Sequence, residues 1–211
     1  MISYNTENYP NRDSLLEKAG NVDLPEMLLW LLAKDEDPEV RREVARNPNC
    51  PIESLKILAK DEEEDVREGV AENVNCPVEI LQALVKDGCE SEVACNPNCP
   101  FELLEALAKN KYAGVRSSVA ENLNCPVKIL EELSKDEDEH VRWGVAGNPN
   151  CPIQLLKVLA KDEEKSVRKG VAENPNCPIE LLKVLAKDKD EHVRWGVAGN
   201  PNCPSFFSDS P

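Results

Sequence analysis

Val167–Asp188 reads VRKGVAENPNCPIELLKVLAKD, and its punctuation decides the fold. Val167, Val171 and Ala172 fall at i, i+4 and i+5, a narrow apolar face at helical spacing. Asn174-Pro175 ends that helix, because the residue before a proline is pushed out of the α region. Pro178 opens a new run in which Ile179, Leu182, Leu185 and Ala186, with Leu181 beside them, form one helix face. A proline at the first helical position is tolerated, since its N–H would have no intrahelical partner, and this reading puts Cys177 at the N-cap. Three residues after the equivalent cysteines stand Glu53, Glu79, Glu102, Gln154 and Glu180, with Lys128 the exception, the pattern of a capping box with Cys in place of Ser or Thr.

The same string recurs along the chain. Its cysteines, Cys50, Cys76, Cys99, Cys125, Cys151, Cys177 and Cys203, lie at intervals of 26, 23, 26, 26, 26 and 26 residues. Seven repeats follow, 25–50, 51–76, 77–99, 100–125, 126–151, 152–177 and 178–203. Each holds a first helix after Pro and a shorter second helix on Val-Arg-x-x-Val-Ala. A helix pair of this size cannot close a core alone, so the pairs must stack. The expected fold is an all-α solenoid of seven helix-pair repeats. Residues 1–24 and 204–211 are expected to cap it, through a polar-faced helix over Asn11–Gly20 at one end and Phe206 and Phe207 at the other.

Composition narrows the function. Forty Asp and Glu against 25 Lys and Arg leave a net charge of −15, with no basic cluster, which argues against nucleic acid and anionic membranes as partners. Three Phe, 3 Tyr and 3 Trp are few, so the core must be aliphatic. No 18-residue apolar stretch and no signal-peptide pattern stand in the sequence, which suggests a cytoplasmic chain whose nine cysteines stay reduced.

The string Val-Arg-x-x-Val-Ala-x-Asn-Pro-x-x-Pro-x-x-Leu-Leu-x-x-Leu-Ala-x-Asp resembles the leucine-rich repeat variant family over residues 25–203. The resemblance implies a right-handed α-solenoid in which α-helices alternate with short α or 3₁₀ helices. The family's iron–sulfur cysteine cluster, placed ahead of its repeats, has no counterpart before Cys50, so the resemblance implies no cofactor here. A second resemblance, to HEAT repeats, rests on pairs six residues apart: Asp35/Arg41, Asp61/Arg67, Asp136/Arg142, Asp162/Arg168 and Asp188/Arg194. It implies an Asp/Arg ladder between adjacent repeats. The bland alternative is that the Arg stem covers apolar surface while the Asp caps the second helix. Repeat four keeps Arg116 but has Asn110, and repeat three breaks the pattern.

Three features could carry chemistry. The cysteine column cannot form disulfides or a zinc site, because stacked helices lie roughly 8–10 Å apart, so small structural thiols at N-caps are expected. Repeat three has lost three turn residues, carries Cys89 in place of Val and Glu90 in place of Arg, and gains Cys95, so Cys89, Cys95 and Cys99 form a candidate metal or redox site. Against it, Cys89 occupies a core position and no fourth ligand is evident. The residue after Val-Arg varies most: Arg42, Glu68, Ser91, Ser117, Trp143, Lys169 and Trp195. This column should face a concave groove. Trp143 and Trp195, each three residues after a histidine, His140 or His192, have the character of interface hot spots, unless repeat duplication simply copied a harmless Trp. No nucleophile with a base, no Gly-rich phosphate loop and no metal motif occurs. The sequence therefore points to a monomeric, non-catalytic scaffold for a protein or peptide partner, with a metal or redox sensor at repeat three as the alternative.

Overall fold

The computed structural model describes residues 19–21 and 24–203, so most of the expected cap on 1–24 and all of that on 204–211, with Phe206 and Phe207, lie outside the described residues. Contacts divide the chain into two compact units, 1–99 and 100–211, at the boundary after the shortened repeat three. In the first, α1 (Glu26–Leu32) pairs with α2 (Pro38–Arg46), α3 (Ile52–Leu58) with α4 (Glu64–Glu72), and α5 (Val78–Leu84) runs through a 3₁₀ turn, Val85–Asp87, to α6 (Glu90–Cys95). In the second, the pairs are α7 (Phe101–Leu107) with α8 (Ala113–Glu121), α9 (Val127–Leu133) with α10 (Glu139–Gly147), α11 (Ile153–Leu159) with α12 (Lys165–Glu173), and α13 (Ile179–Leu185) with α14 (Glu191–Gly199). Among the described residues there is no strand, and the fold is an α-solenoid.

Local chemistry departs from the sequence reading in three ways. The second helix is the longer one, nine residues against seven in six of the repeats. The apolar pattern marks only its middle; residues such as Glu64 and Asp65 form its first turn, where acidic side chains favour the helix dipole. It is an α-helix, and 3₁₀ character is confined to the ends of both helices, where Lys60 N donates to Ile57 O, Asp61 N to Leu58 O and Asn73 N to Val70 O. Finally, the proline is the N-cap itself. Pro51 is still extended, at φ −58° and ψ 142°, and its carbonyl accepts the first helical bond from Leu55 N. Cys50 thus lies one residue outside the helix, and no side chain caps that end. The capping box is absent, since a thiol is a weak acceptor and the Cys50 Sγ faces the Pro51 carbonyl at 3.8 Å.

The core is aliphatic, built from paired leucines of the first helix (Leu55 and Leu58, Leu182 and Leu185), Val-x-x-x-Val-Ala of the second, and the cysteine column. Ile179 is an exception to the expected face, 48% exposed, because a helix of two turns presents only one short ridge to its neighbours and its first residue points away. Within each unit the second helices pack directly on one another, α2 on α4 and α8, α10, α12 in succession onto α14, whereas first helices pack mainly against second helices. Glycine permits the closest of these approaches: a Cβ on Gly144 would lie 3.1 Å from the Ala120 Cβ and 3.3 Å from the Ser117 carbonyl.

Asparagine fastens one repeat to the next. Asn73 is buried, and its Nδ2 donates to the Ala45 and Asn47 carbonyls of the preceding repeat while its Oδ1 accepts from Asn75 N. Asn148, Asn174 and Asn200 repeat this arrangement in the second unit. At the start of the array Asn47 uses the carbonyls of Ala19 and Asn21, so the segment before α1 supplies the end of a preceding repeat. Asn73 holds φ −64° and ψ 120° although Val74 follows it, not proline. The turn therefore depends on the asparagine side chain, with the proline reinforcing it where present.

Candidate partner-binding site

The arginine column is a ladder, but the rung joins residues 20 apart. Arg41 donates from Nε and Nη2 to both oxygens of Asp61 in the next repeat, at 2.7 and 2.9 Å, while its Nη1 bonds the Asp35 and Glu36 carbonyls of its own repeat. The residues six apart thus meet through a backbone carbonyl, not through two side chains. Arg142 and Arg168 grip Asp162 and Asp188 in the same bidentate way. Arg116 grips Asp136, although its own repeat offers Asn110, because the carbonyl serves as well from asparagine. Burial works to raise the Asp61 carboxyl, but the Arg41 bond, the Glu63 N–H and the charges of Arg41 and Arg67 together hold it below its ordinary value. For Asp188 the Arg168 bond is the largest influence and lowers it outright. Arg67 makes only its two carbonyl bonds, to Asp61 and Glu62. The residue at its rung position, Asp87, is exposed on the 3₁₀ turn that leads into Gly88, whose φ of 97° only glycine adopts readily. Arg194 likewise makes its carbonyl bonds in the last described repeat.

Among the described residues no three His, Cys, Asp or Glu side chains gather as metal ligands, so Cys89, Cys95 and Cys99 are not brought together. Cys89 and Cys99 are buried while Cys95 is exposed at the end of α6. Burial pushes the column thiols up, Cys76 to about 12 and Cys177 to about 11, well away from a reactive thiolate.

The variable column gathers in the second unit. Ser117, Trp143, Lys169 and Trp195 occupy the same position of α8, α10, α12 and α14, on the face where second helices succeed one another. Trp143 is 39% exposed and Trp195 60%, the two large aromatics of this face. The Trp195 ring meets His192 edge-on, centroids 4.9 Å apart, and His140 and His192 each face the aspartate that caps their helix, Asp138 or Asp190, at 3.1 Å. Lys169 is paired with Glu173 at 3.1 Å. Arg42 belongs to the first unit, where its stem lies against the position a Gly69 Cβ would take. Sequence reasoning missed the residue four further on in each helix, Glu121, Gly147, Glu173 and Gly199, which leaves bare backbone beside each Trp. Glu121, Gly147 and Glu173, with Leu123, Pro149 and Gly170, line a depression of about 350 Å³ beside Trp143.

A family model described as leucine rich repeat variant matches residues 38–63, one full repeat period. A solved structure described as a leucine-rich repeat variant with a novel repetitive protein structural motif is 27% identical, covering 93% of this chain and 88% of that one, with a TM-score of 0.55. In one repeat of its sequence and in its fold the chain is similar to the leucine-rich repeat variants. The structure of YibA from Escherichia coli is 19% identical, covering 92% of this chain and 75% of that one, at a TM-score of 0.43, too distant to carry an argument. No curated protein matches. The chain is a helical-repeat scaffold, and no helix among the described residues is long and apolar enough to cross a membrane.

Proposed function

We propose that this protein is a non-catalytic scaffold whose second-helix face in repeats four to seven takes a protein or peptide partner. One observation carries the reading: in a chain whose core is almost wholly aliphatic, two of three tryptophans are spent on exposed, equivalent positions of that face. One edge of Trp143 packs against Gly170 of the next repeat, yet both indoles stay exposed, and a large amphipathic surface of this kind is the commonest anchor of protein interfaces. The repeats beneath hold the anchors rigidly, since each is tied to its neighbour by buried asparagine and a bidentate arginine. Affinity capture from lysate of the source cell, with the native chain and with Trp143→Ala/Trp195→Ala, tests it. The variant should keep its helicity and melting temperature yet lose a protein the native chain retains. Identical retained sets would overturn the proposal.

A further inference from the structure

The depression beside Trp143 has a composition that selects its occupant. Three equivalent helix ends face each other there. Glu121 ends α8, Gly147 ends α10 and Glu173 ends α12, so a position without a side chain lies between two carboxylates. In the neighbouring repeats that side chain fills the space: the Glu121 stem covers Gly144, and the Glu173 stem covers Gly196, each with its Cγ 3.2 Å from where a glycine Cβ would be. Gly147 cannot cover Gly170 in this way. The Trp143 indole does so instead, its Cδ1 edge 3.1 Å from the equivalent point. The ring therefore leans across the repeat boundary, and a Cβ added to Gly147 would meet nothing within 4 Å. What remains is a slot of about 350 Å³ lined by the indole, by apolar Leu123 and Pro149, and by Glu121 and Glu173.

Resting on the reading of this face as a partner surface, we infer that the slot receives a cationic side chain of the partner, arginine before lysine. An indole beside a channel flanked by carboxylates attracts a cation both through its ring quadrupole and through the fixed charges. A guanidinium satisfies every wall at once, since it is flat enough to stack on the ring and forks to carboxylate oxygens. The surrounding charge agrees. Ser117 donates to Glu121 Oε1, and Lys169, the one cation among the residues of this column in the unit, is held against Glu173. The whole chain, at −15, adds long-range attraction for a basic segment.

Acetyl-arginine amide is the probe, followed through the indole N–H resonances of the full chain, with acetyl-citrulline amide as its uncharged isostere. Arginine amide should shift the Trp143 signal saturably and citrulline amide should not. Glu121→Gln/Glu173→Gln should weaken the arginine response by about fivefold, the worth of roughly 1 kcal/mol. Gly147→Gln, which fills the slot while keeping Trp143 and both glutamates, should abolish it. Equal responses to arginine and citrulline, or a response that survives Gly147→Gln, would overturn the slot. Peptides selected from a random library separate this from the scaffold reading. Selected peptides that protect both Trp143 and Trp195 but carry no basic residue would keep the face and overturn the slot. Arginine amide binding in the slot while no selected peptide protects either tryptophan would keep the slot and overturn the face.

Discussion

A buried asparagine with both amide hydrogens committed is a costly side chain to lose. Asn148 donates to the Ala120 and Asn122 carbonyls across a repeat boundary and accepts from Asn150 N. Asn148→Ala leaves the buried Ala120 carbonyl and the Asn150 N–H without partners and removes one of two donors from the Asn122 carbonyl, which keeps Cys125 N, and should cost about 3 kcal/mol in urea unfolding. Asn150→Ala removes a bond to Leu123 O at the surface, where water replaces it, and should cost under about 1 kcal/mol. Equal losses would show that the buried bonds contribute no more than exposed ones. The thiols make a second residue-scale case. Seven of them, including Cys50, Cys125 and Cys151, are buried, and those three are pushed up to about 12 by burial. Maleimide at neutral pH, followed by mass spectrometry, should label exposed Cys95 and half-exposed Cys203 promptly and the other seven only on unfolding.

At the scale of the helix, the ladder separates what an arginine gains from its own repeat from what it gains from the next. Arg142 and Arg67 make the same two carbonyl bonds, but only Arg142 also grips a carboxylate, Asp162. Arg142→Ala strands a largely buried aspartate and should cost about 2 kcal/mol more than Arg67→Ala, measured by thermal unfolding. A difference near zero would mean that the rung merely accompanies the packing. This distinction was half legible in sequence. The Asp and Arg columns stood out, yet the six-residue spacing within a repeat hid the partner 20 residues on, because register between stacked helices is a tertiary property. The asparagine column was equally visible, recurring even where Val74 and Leu123 replace proline, and that replacement was the sign that its side chain, not the proline, holds the turn. The helix pairs themselves were readable because apolar spacing and proline act locally. The slot beside Trp143 was not, since it arises from a glycine in one repeat facing a glycine in the next.

For the whole molecule, charge and ladder respond to acid in opposite directions. A net charge of −15 repels itself, so lowering the pH toward the carboxylate range first relieves strain. The ladder aspartates then work the other way. Asp61, Asp136, Asp162 and Asp188 are each held below their ordinary value, so their contribution is complete above about pH 4 and is lost as the pH falls through their lower folded values. The rungs are unequally shared. Residues 19–99 contain one, Arg41–Asp61, whereas residues 100–203 contain three, Arg116–Asp136, Arg142–Asp162 and Arg168–Asp188. Hydrogen exchange followed by fragment should therefore show protection in both units unchanged or slightly higher at mildly acidic pH. Below about pH 4 it should fall more steeply in 100–203 than in 24–99. High salt, which screens the general repulsion but reaches the half-buried rungs poorly, should flatten the initial gain and leave the later loss in place. A parallel decline of the two units would assign the acid response to overall charge, and would leave the ladder a matter of register between repeats instead of stability.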